Sequence, residues 1–267
     1  MKNILIYFAL AASMLVLNGC NERNTQNTAP KITTTKTIKD RGTILIGVKG
    51  DTYKFGYKDP YTGIIDGFDV DVAKALAKKI LGDEKKLKTI AVTTASRGPM
   101  LNSDELDYVI ATFTITEDRK KIFNFSNPYF VDSGIGMMVK KDSGIRSIKD
   151  LNNKRVGVAA GTTAVKSMQD AAVRAGIKIN LVEYDIYPSV KAALNADDVD
   201  CFATNGIILL SYMDDNVMLL DERLAPQAYG IVSKKGNNEL TQAANEVIES
   251  LNISGEINNI IAKWGLQ

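Results

Sequence analysis

The sequence predicts an α/β protein in which one strand–helix–strand pattern occurs twice. Three observations carry this. Short β-branched runs alternate with amphipathic helical stretches from Thr43 onward, as expected for largely parallel strands joined by crossover helices. The count restarts cleanly after Tyr129. About 230 residues remain once a polar N-terminal segment is set aside, enough for one large lobe or two small ones with their own cores. One larger doubly wound domain is the alternative, and the clean restart favours two lobes.

Taken in order, Thr43–Val48 is a short apolar run bounded by glycines and reads as a buried strand. The polar, aromatic stretch Lys49–Gly63 reads as a loop. After Gly67, the residues Val72, Ala75, Leu76 and Ile80 fall on one helical face, while Lys74, Lys78 and Lys79 stay outside. Asp69 is the expected N-cap and Gly82 the expected stop. Lys88–Val92 is a strand, Pro99–Leu101 starts a short helix, and Leu106–Ala111 is a third strand that breaks into a polar loop. The second set begins with the extended Ile135–Val139 and a short helix opened by Ser147. Strand Arg155–Ala159, helix Thr163–Ala175, strand Lys178–Tyr184, helix Ser189–Ala196 and strand Val199–Ala203 follow. Ala228–Val232 is a return strand, and Leu240–Trp264 is one amphipathic helical region. The second lobe (131–227) is therefore expected as an insertion in the first (40–130 and 228–267). The connections fall near Pro128–Gly134 and Pro226–Gly230.

The ends and the composition narrow the function. Lys2 and the apolar run Ile4–Val16 read as a signal peptide over residues 1–19, too short for a membrane span. Leu17-Asn18-Gly19-Cys20 resembles a bacterial lipobox, which implies cleavage before Cys20 and its lipidation. Residues 20–39 are rich in Asn, Thr, Gln and Lys and read as a flexible tether. A lipid-anchored body at the outer face of a membrane, or in a periplasm, is expected. Cys201 then has no partner and reads as a small buried hydrophobe. With no histidine, Ser-His-Asp and Cys-His catalysis and His-based metal sites are excluded. The net charge of +2 gives no electrostatic case for nucleic acid.

Five motifs then occur in one order. They are Gly67-Phe68-Asp69-Val70-Asp71-Val72-Ala73, Arg97-Gly98-Pro99-Met100-Leu101, Thr114 to Arg119 with Phe125-Ser126-Asn127-Pro128-Tyr129, Gly161-Thr162-Thr163, and Tyr229-Gly230-Ile231. Together they resemble the bacterial extracellular solute-binding proteins for polar amino acids, and most closely the aspartate/glutamate-binding branch. The resemblance spans roughly Thr43 to Leu266. It implies a type II periplasmic-binding-protein-like fold, with two lobes joined by two hinge strands that close on ligand. It also implies permease and ATPase partners of an ABC importer and no cofactor. A monomer suffices for such a trap.

The resemblance implies the following site. Arg119 takes the ligand α-carboxylate, as a bidentate, charge-assisted clamp can; a surface ion pair with Glu117 or Asp118 is the plainer reading. Thr114 and the backbone of Thr112 hold the amine and carboxylate, against simple β-propensity. Thr162 and Thr163 offer free amides at a helix start, against an ordinary cap. Lys49 and Arg97 face an acidic side chain, against two solvated charges. Tyr53, Phe55 and Tyr57 crowd the first loop, where one ring could stack on ligand, against loop packing. Asn205 stands where the family pattern has an aspartate for the ammonium. An ammonium buried without countercharge is costly. Another acid such as Asp51 or Glu183, a more negative ligand, or a ligand without an amine would each resolve this. A small-carboxylate dehydratase on the same fold is the enzymatic alternative; Glu117, Asp118 and Asp51 are its only candidate acid–base groups, and none forms a carboxylate pair.

Overall fold

The computed structural model describes residues 33–266. The expected signal peptide and Cys20 lie outside the described residues. The polar tether ends earlier than composition suggests, because helix α1 (Thr35–Arg41) begins inside it. A reciprocal capping box between Thr34 and Thr37 starts that helix, and Ile38 anchors it in the core.

The first lobe begins with β1 (Ile44–Lys49). The stretch expected as a loop folds instead into a small antiparallel sheet of β2 (Asp51–Thr52), β3 (Gly56–Lys58) and β4 (Ile65–Asp66). Helix α2 (Phe68–Leu81) follows, ended by left-handed Gly82 as expected. Gly67, not Asp69, occupies its N-cap, and the Asp69 side chain is fully buried elsewhere. Then come β5 (Leu87–Val92), α3 (Arg97–Asn102) and β6 (Tyr108–Val109). The polar loop after it contains a short helix, α4 (Glu117–Ile122), capped by the Thr116 hydroxyl. Strand β7 (Phe123–Asp132) leads out of the lobe.

The second lobe holds β8 (Ile135–Lys140), β9 (Arg155–Ala159), α5 (Thr163–Ala175), β10 (Asn180–Tyr184), α6 (Tyr187–Asn195), β11 (Cys201–Asn205), α7 (Gly206–Leu209) and β12 (Val217–Leu219). Strand β13 (Gln227–Lys234) returns to the first sheet. The C-terminal helical region is two helices, α8 (Asn238–Ile253) and α9 (Glu256–Lys263), because left-handed Gly255 breaks it.

The two sheets repeat one plan. The first runs β5-β1-β6-β13-β7 and the second β10-β9-β11-β8-β12. In each, the first three strands are parallel and the last two pairings antiparallel. The sheets are thus mixed, because each ends in strands that arrive from or leave for the other lobe. The crossings touch at Gly134 (φ 132°), where a Cβ would sit 2.4 Å from the Leu224 carbonyl oxygen. A side chain there would clash with backbone and strain φ.

An aromatic group wedges the crossing strands from below. Phe55, Phe68, Tyr129, Phe130 and Tyr229 pack in mostly edge-on pairs, with Phe130 stacked on Tyr229 at 5.7 Å between centroids. Such rings bury large apolar areas and add geometry-specific attraction. Cys201 is buried, as expected, and has no disulfide partner among the described residues.

Candidate functional site

Three cations and a strained peptide gather at the ends of β1, β5 and β6. Arg97 opens α3 and is almost wholly buried. Its Nη1 donates to the carbonyls of Ala111 and Thr112, and its guanidinium lies 3.9 Å from the Phe113 ring centroid. Arg119, on α4, stacks on the same ring at 4.7 Å. Its Nη1 donates to the Thr114 carbonyl at 2.8 Å, and its Nη2 to the Gly161 carbonyl of the second lobe at 2.8 Å. Two of its five N–H groups are thereby engaged. Burial, and then the charge of Arg97, pull the Arg119 pKa down. These like charges repel, and a nearby anion would relieve that repulsion.

Thr112 has φ 47°, costly for a β-branched residue. Asp69 holds it there. One Asp69 oxygen takes the Thr112 N–H at 3.0 Å, and the other takes the Tyr129 hydroxyl at 2.8 Å. Burial pushes this carboxyl up to about 7, against both hydrogen bonds. The Thr112 hydroxyl turns back to the Ala111 carbonyl. Thr114 is buried and bridges to Tyr229.

Lys49 ends β1 with no exposed surface. Its ammonium lies 2.8 Å from Asp51 Oδ1 and 5.1 Å from the centroid of Tyr187 across the cleft. Burial lowers its pKa, with Asp51 opposing. Although the pair is close, it is poorly directed, since Lys49 Nζ and Asp51 Oδ2 have no aligned hydrogen-bond partner among the described residues.

The second lobe faces these groups with neutral ones. Gly161 (φ 73°) allows the turn into α5, and its Cβ would meet the Thr94 carbonyl oxygen at 2.8 Å. Thr162 is the N-cap, but its hydroxyl donates to the Ala159 carbonyl, so no side chain caps the first turn of α5. The Thr163 hydroxyl donates to Gln227 Oε1 at 2.7 Å. The Tyr212 hydroxyl donates to the Asp51 carbonyl at 3.1 Å. Thr204 and Asn205 end β11 and are buried.

Of the expected residues, Arg119, Arg97, Lys49, Thr112, Thr114, Thr162 and Thr163 therefore line or border one interlobe region. Tyr53 does not join them: it is 55% exposed and meets Tyr57 edge-on. Phe55 belongs to the aromatic wedge. Glu183 is exposed on β10. Phe113, Tyr187 and Asp132 escaped sequence reasoning, because only the tertiary fold brings them to the cleft.

Buried side-chain atoms without a hydrogen-bond partner among the described residues mark the same place. Lys49 Nζ, Asp51 Oδ2, Thr94 Oγ1 and Arg97 Nε lie on the first lobe; Thr204 Oγ1 and Asn205 Nδ2 lie on the second. Asp132 Oδ2 and Tyr229 OH lie on the connecting strands. Each such atom costs on the order of 1–3 kcal/mol if left unpaired. A groove of about 840 Å³ between α2, α8 and α9 holds none of them. The interlobe region is the better candidate site.

Residues 44–267 match the bacterial extracellular solute-binding proteins, family 3. The chain belongs to this family. It is 41% identical to a glutamine-binding protein of Geobacillus stearothermophilus, over 87% of this chain and 92% of that one. It is 35% identical to the ABC transporter glutamine-binding protein of Bacillus subtilis, over 94% and 93%. Among solved structures, an ancestral arginine-binding protein bound to glutamine superposes with a TM-score of 0.75 at 34% identity, covering 84% of this chain and 98% of that one. Among the described residues no helix is long and apolar enough to cross a membrane.

Proposed function

We propose that this protein captures a polar amino acid with a carboxamide side chain, glutamine foremost, between its lobes and delivers it to an ABC importer. The adjacent pair Lys49 Nζ and Asp51 Oδ2 carries the reading. Within this buried ion pair Asp51 Oδ1 matches the Lys49 charge at 2.8 Å, yet Lys49 Nζ has no aligned hydrogen bond and Asp51 Oδ2 no hydrogen-bond partner among the described residues. A primary amide complements both at once, its oxygen toward Lys49 and its NH2 toward Asp51. A carboxylate would meet the like charge of Asp51. The α-carboxylate goes to Arg119 and the uncapped first turn of α5, and the Thr112 and Thr114 region receives the amine side. Two relatives named for glutamine support this side-chain choice. Closure about the Ser133–Gly134 and Ala225–Pro226 crossings would bury the ligand, and Cys20 would tether the body to the membrane.

The acidic ligands glutamate and aspartate are the second reading, resting on the cations Lys49, Arg97 and Arg119. It is the weaker one, because Arg97 is engaged by backbone carbonyls and Lys49 is paired with Asp51.

Titration calorimetry with glutamine, glutamate and aspartate tests the choice. Glutamine should bind at least about tenfold tighter than either acid. Asp51→Asn should shift the preference toward glutamate by about tenfold, since it removes the like charge. Tighter glutamate binding by the unaltered protein would sink the carboxamide reading and leave the acidic one standing.

A further inference from the structure

We propose that Asp132 supplies the negative charge for the ligand ammonium from the hinge, behind an Asn205 that has none to give. The inference rests on the reading above that the ligand is an α-amino acid, though not on its side chain.

An ammonium entering a region that already holds Lys49, Arg97 and Arg119 needs a countercharge. The nearby acids differ in what they have left to offer. Asp51 already faces the Lys49 ammonium at 2.8 Å, so its charge is spent although its Oδ2 has no hydrogen-bond partner among the described residues. Asp69 has both oxygens engaged, by the Thr112 N–H and the Tyr129 hydroxyl. Glu183 is exposed on β10. Asp132 is 6% exposed; its Oδ1 takes the Ser133 N–H at 2.7 Å, and its Oδ2 has no aligned hydrogen bond and faces no cation among the described residues.

Position agrees with this. Asp132 ends β7, where that strand leaves the first lobe, opposite Gln227 on β13. Gln227 in turn holds Thr163 at the start of α5 at 2.7 Å. The Gly206 N–H donates to the Gly134 carbonyl at 2.9 Å, which ties the end of β11 to the turn after Asp132. Asn205 and Asp132 therefore meet in one buried corner, and the Asn205 side chain neighbours the Asp132 carboxyl. The unpartnered Asn205 Nδ2 and Tyr229 OH lie in the same corner. An ammonium placed there would satisfy Asp132 Oδ2, while the Asn205 amide oxygen accepts a second of its hydrogens. Burial holds the Asp132 carboxyl above the usual carboxylate range, as expected for an acid short of a cation.

Asp132 also neighbours the Ile207 N–H at the start of α7. A carboxylate serving only that turn would matter for stability, yet would treat ligands with and without an amine alike. The test therefore compares L-glutamine with glutaramate, which is glutamine without its amine, by calorimetry on the full-length protein. Asp132→Asn should weaken glutamine at least about tenfold and leave glutaramate within about twofold, so retained glutaramate binding also reports an intact fold. Adding Asn205→Asp to Asp132→Asn should recover most of the glutamine affinity by returning the charge from the neighbouring position. The proposal is overturned if Asp132→Asn weakens both ligands alike, or neither, or if the double variant recovers nothing. Should the unaltered protein prefer glutamate, the carboxamide reading falls, and the Asp132 assignment is read from the same ratio with glutamate and glutarate. A protein that binds no amino acid overturns both.

Discussion

The two walls of the cleft are built from different chemistry. The first lobe contributes Lys49, Asp51, Asp69, Arg97 and Arg119, all charged groups at strand or helix ends. From the second lobe come the Gly161 carbonyl, the open first turn of α5, Tyr187, Thr204 and Asn205, all neutral. Two hydrogen bonds join them: the Arg119 cation of one wall donates to the Gly161 carbonyl of the other, and the neutral Tyr212 hydroxyl donates back to the Asp51 carbonyl. The same sheet plan thus carries two jobs. On our proposal one wall selects by charge; its Arg97 and Arg119 stack on the Phe113 ring, and Asp69 accepts from the Thr112 N–H. The other presents dipoles, which are cheaper to desolvate and easier to bring up to a ligand already in place. This predicts that ligand docks first on the charged wall.

Breaking that wall at its centre should have the largest effect. Arg119→Ala should weaken amino-acid binding roughly hundredfold, about 3 kcal/mol, since it removes one partner of a buried charge-assisted contact. Arg119→Lys should not restore it, because a point charge cannot reproduce the planar fork on Phe113. On the neutral wall, Thr163→Ala removes one ordinary hydrogen bond and should cost only about 1 kcal/mol, roughly fivefold. Comparable losses from both walls, measured by calorimetry, would refute the asymmetry.

The Asp69 carboxyl that braces the charged wall has its own signature in pH. Burial raises the Asp69 carboxyl to about 7 in the folded protein. In the unfolded chain it returns to the ordinary aspartate value of about 3.9. The folded protein therefore binds the extra proton, and this group stabilises most below about pH 4. Its contribution is lost as pH rises toward the folded pKa, by about 2 kcal/mol between pH 5 and pH 7. Asp69→Asn should lower stability at every pH, because an amide cannot accept from both Thr112 and Tyr129 without loss. It should also flatten this part of the pH profile. Thermal melts of both proteins across that range decide it; an unchanged slope would mean that Asp69 stays ionised through its two donors.

Much of this was legible in the chain. Period and punctuation identify most strands and helices of both lobes, since Gly82, the Ser147 capping box and the Thr163–Ala175 stripe are local signals. The five ordered motifs point to Arg119, Arg97 and the α5 turn. What local reading misses is set by tertiary contact. Asp69 has the residue type of a cap, yet its carboxylate serves a peptide 43 residues away. The aromatic run after β1 looks like a loop, because strands of two or three residues leave no periodicity to read. Lys49 and Arg97 read as free cations until their partners, Asp51 and two carbonyls, are placed beside them. Asp132 follows the Phe-Ser-Asn-Pro-Tyr block with no signal of its own, and only the crossing of the hinge strands brings it to Asn205.

The smallest effect belongs to the rim of the charged wall, and it sharpens the comparison by marking where that wall ends. Tyr53 was a candidate for stacking on ligand, but it is half-exposed and packs edge-on to Tyr57 in a shallow groove beside Trp264. An edge-on aromatic pair at an exposed site contributes on the order of 0.5–1 kcal/mol. Tyr53→Ala should therefore lower stability by about that amount and change amino-acid affinity less than about twofold. If affinity instead falls tenfold with the melting midpoint unchanged, Tyr53 must swing inward when ligand arrives. The charged wall would then include an aromatic flap and would end at the small β2-β3-β4 sheet rather than at the rim of the cleft.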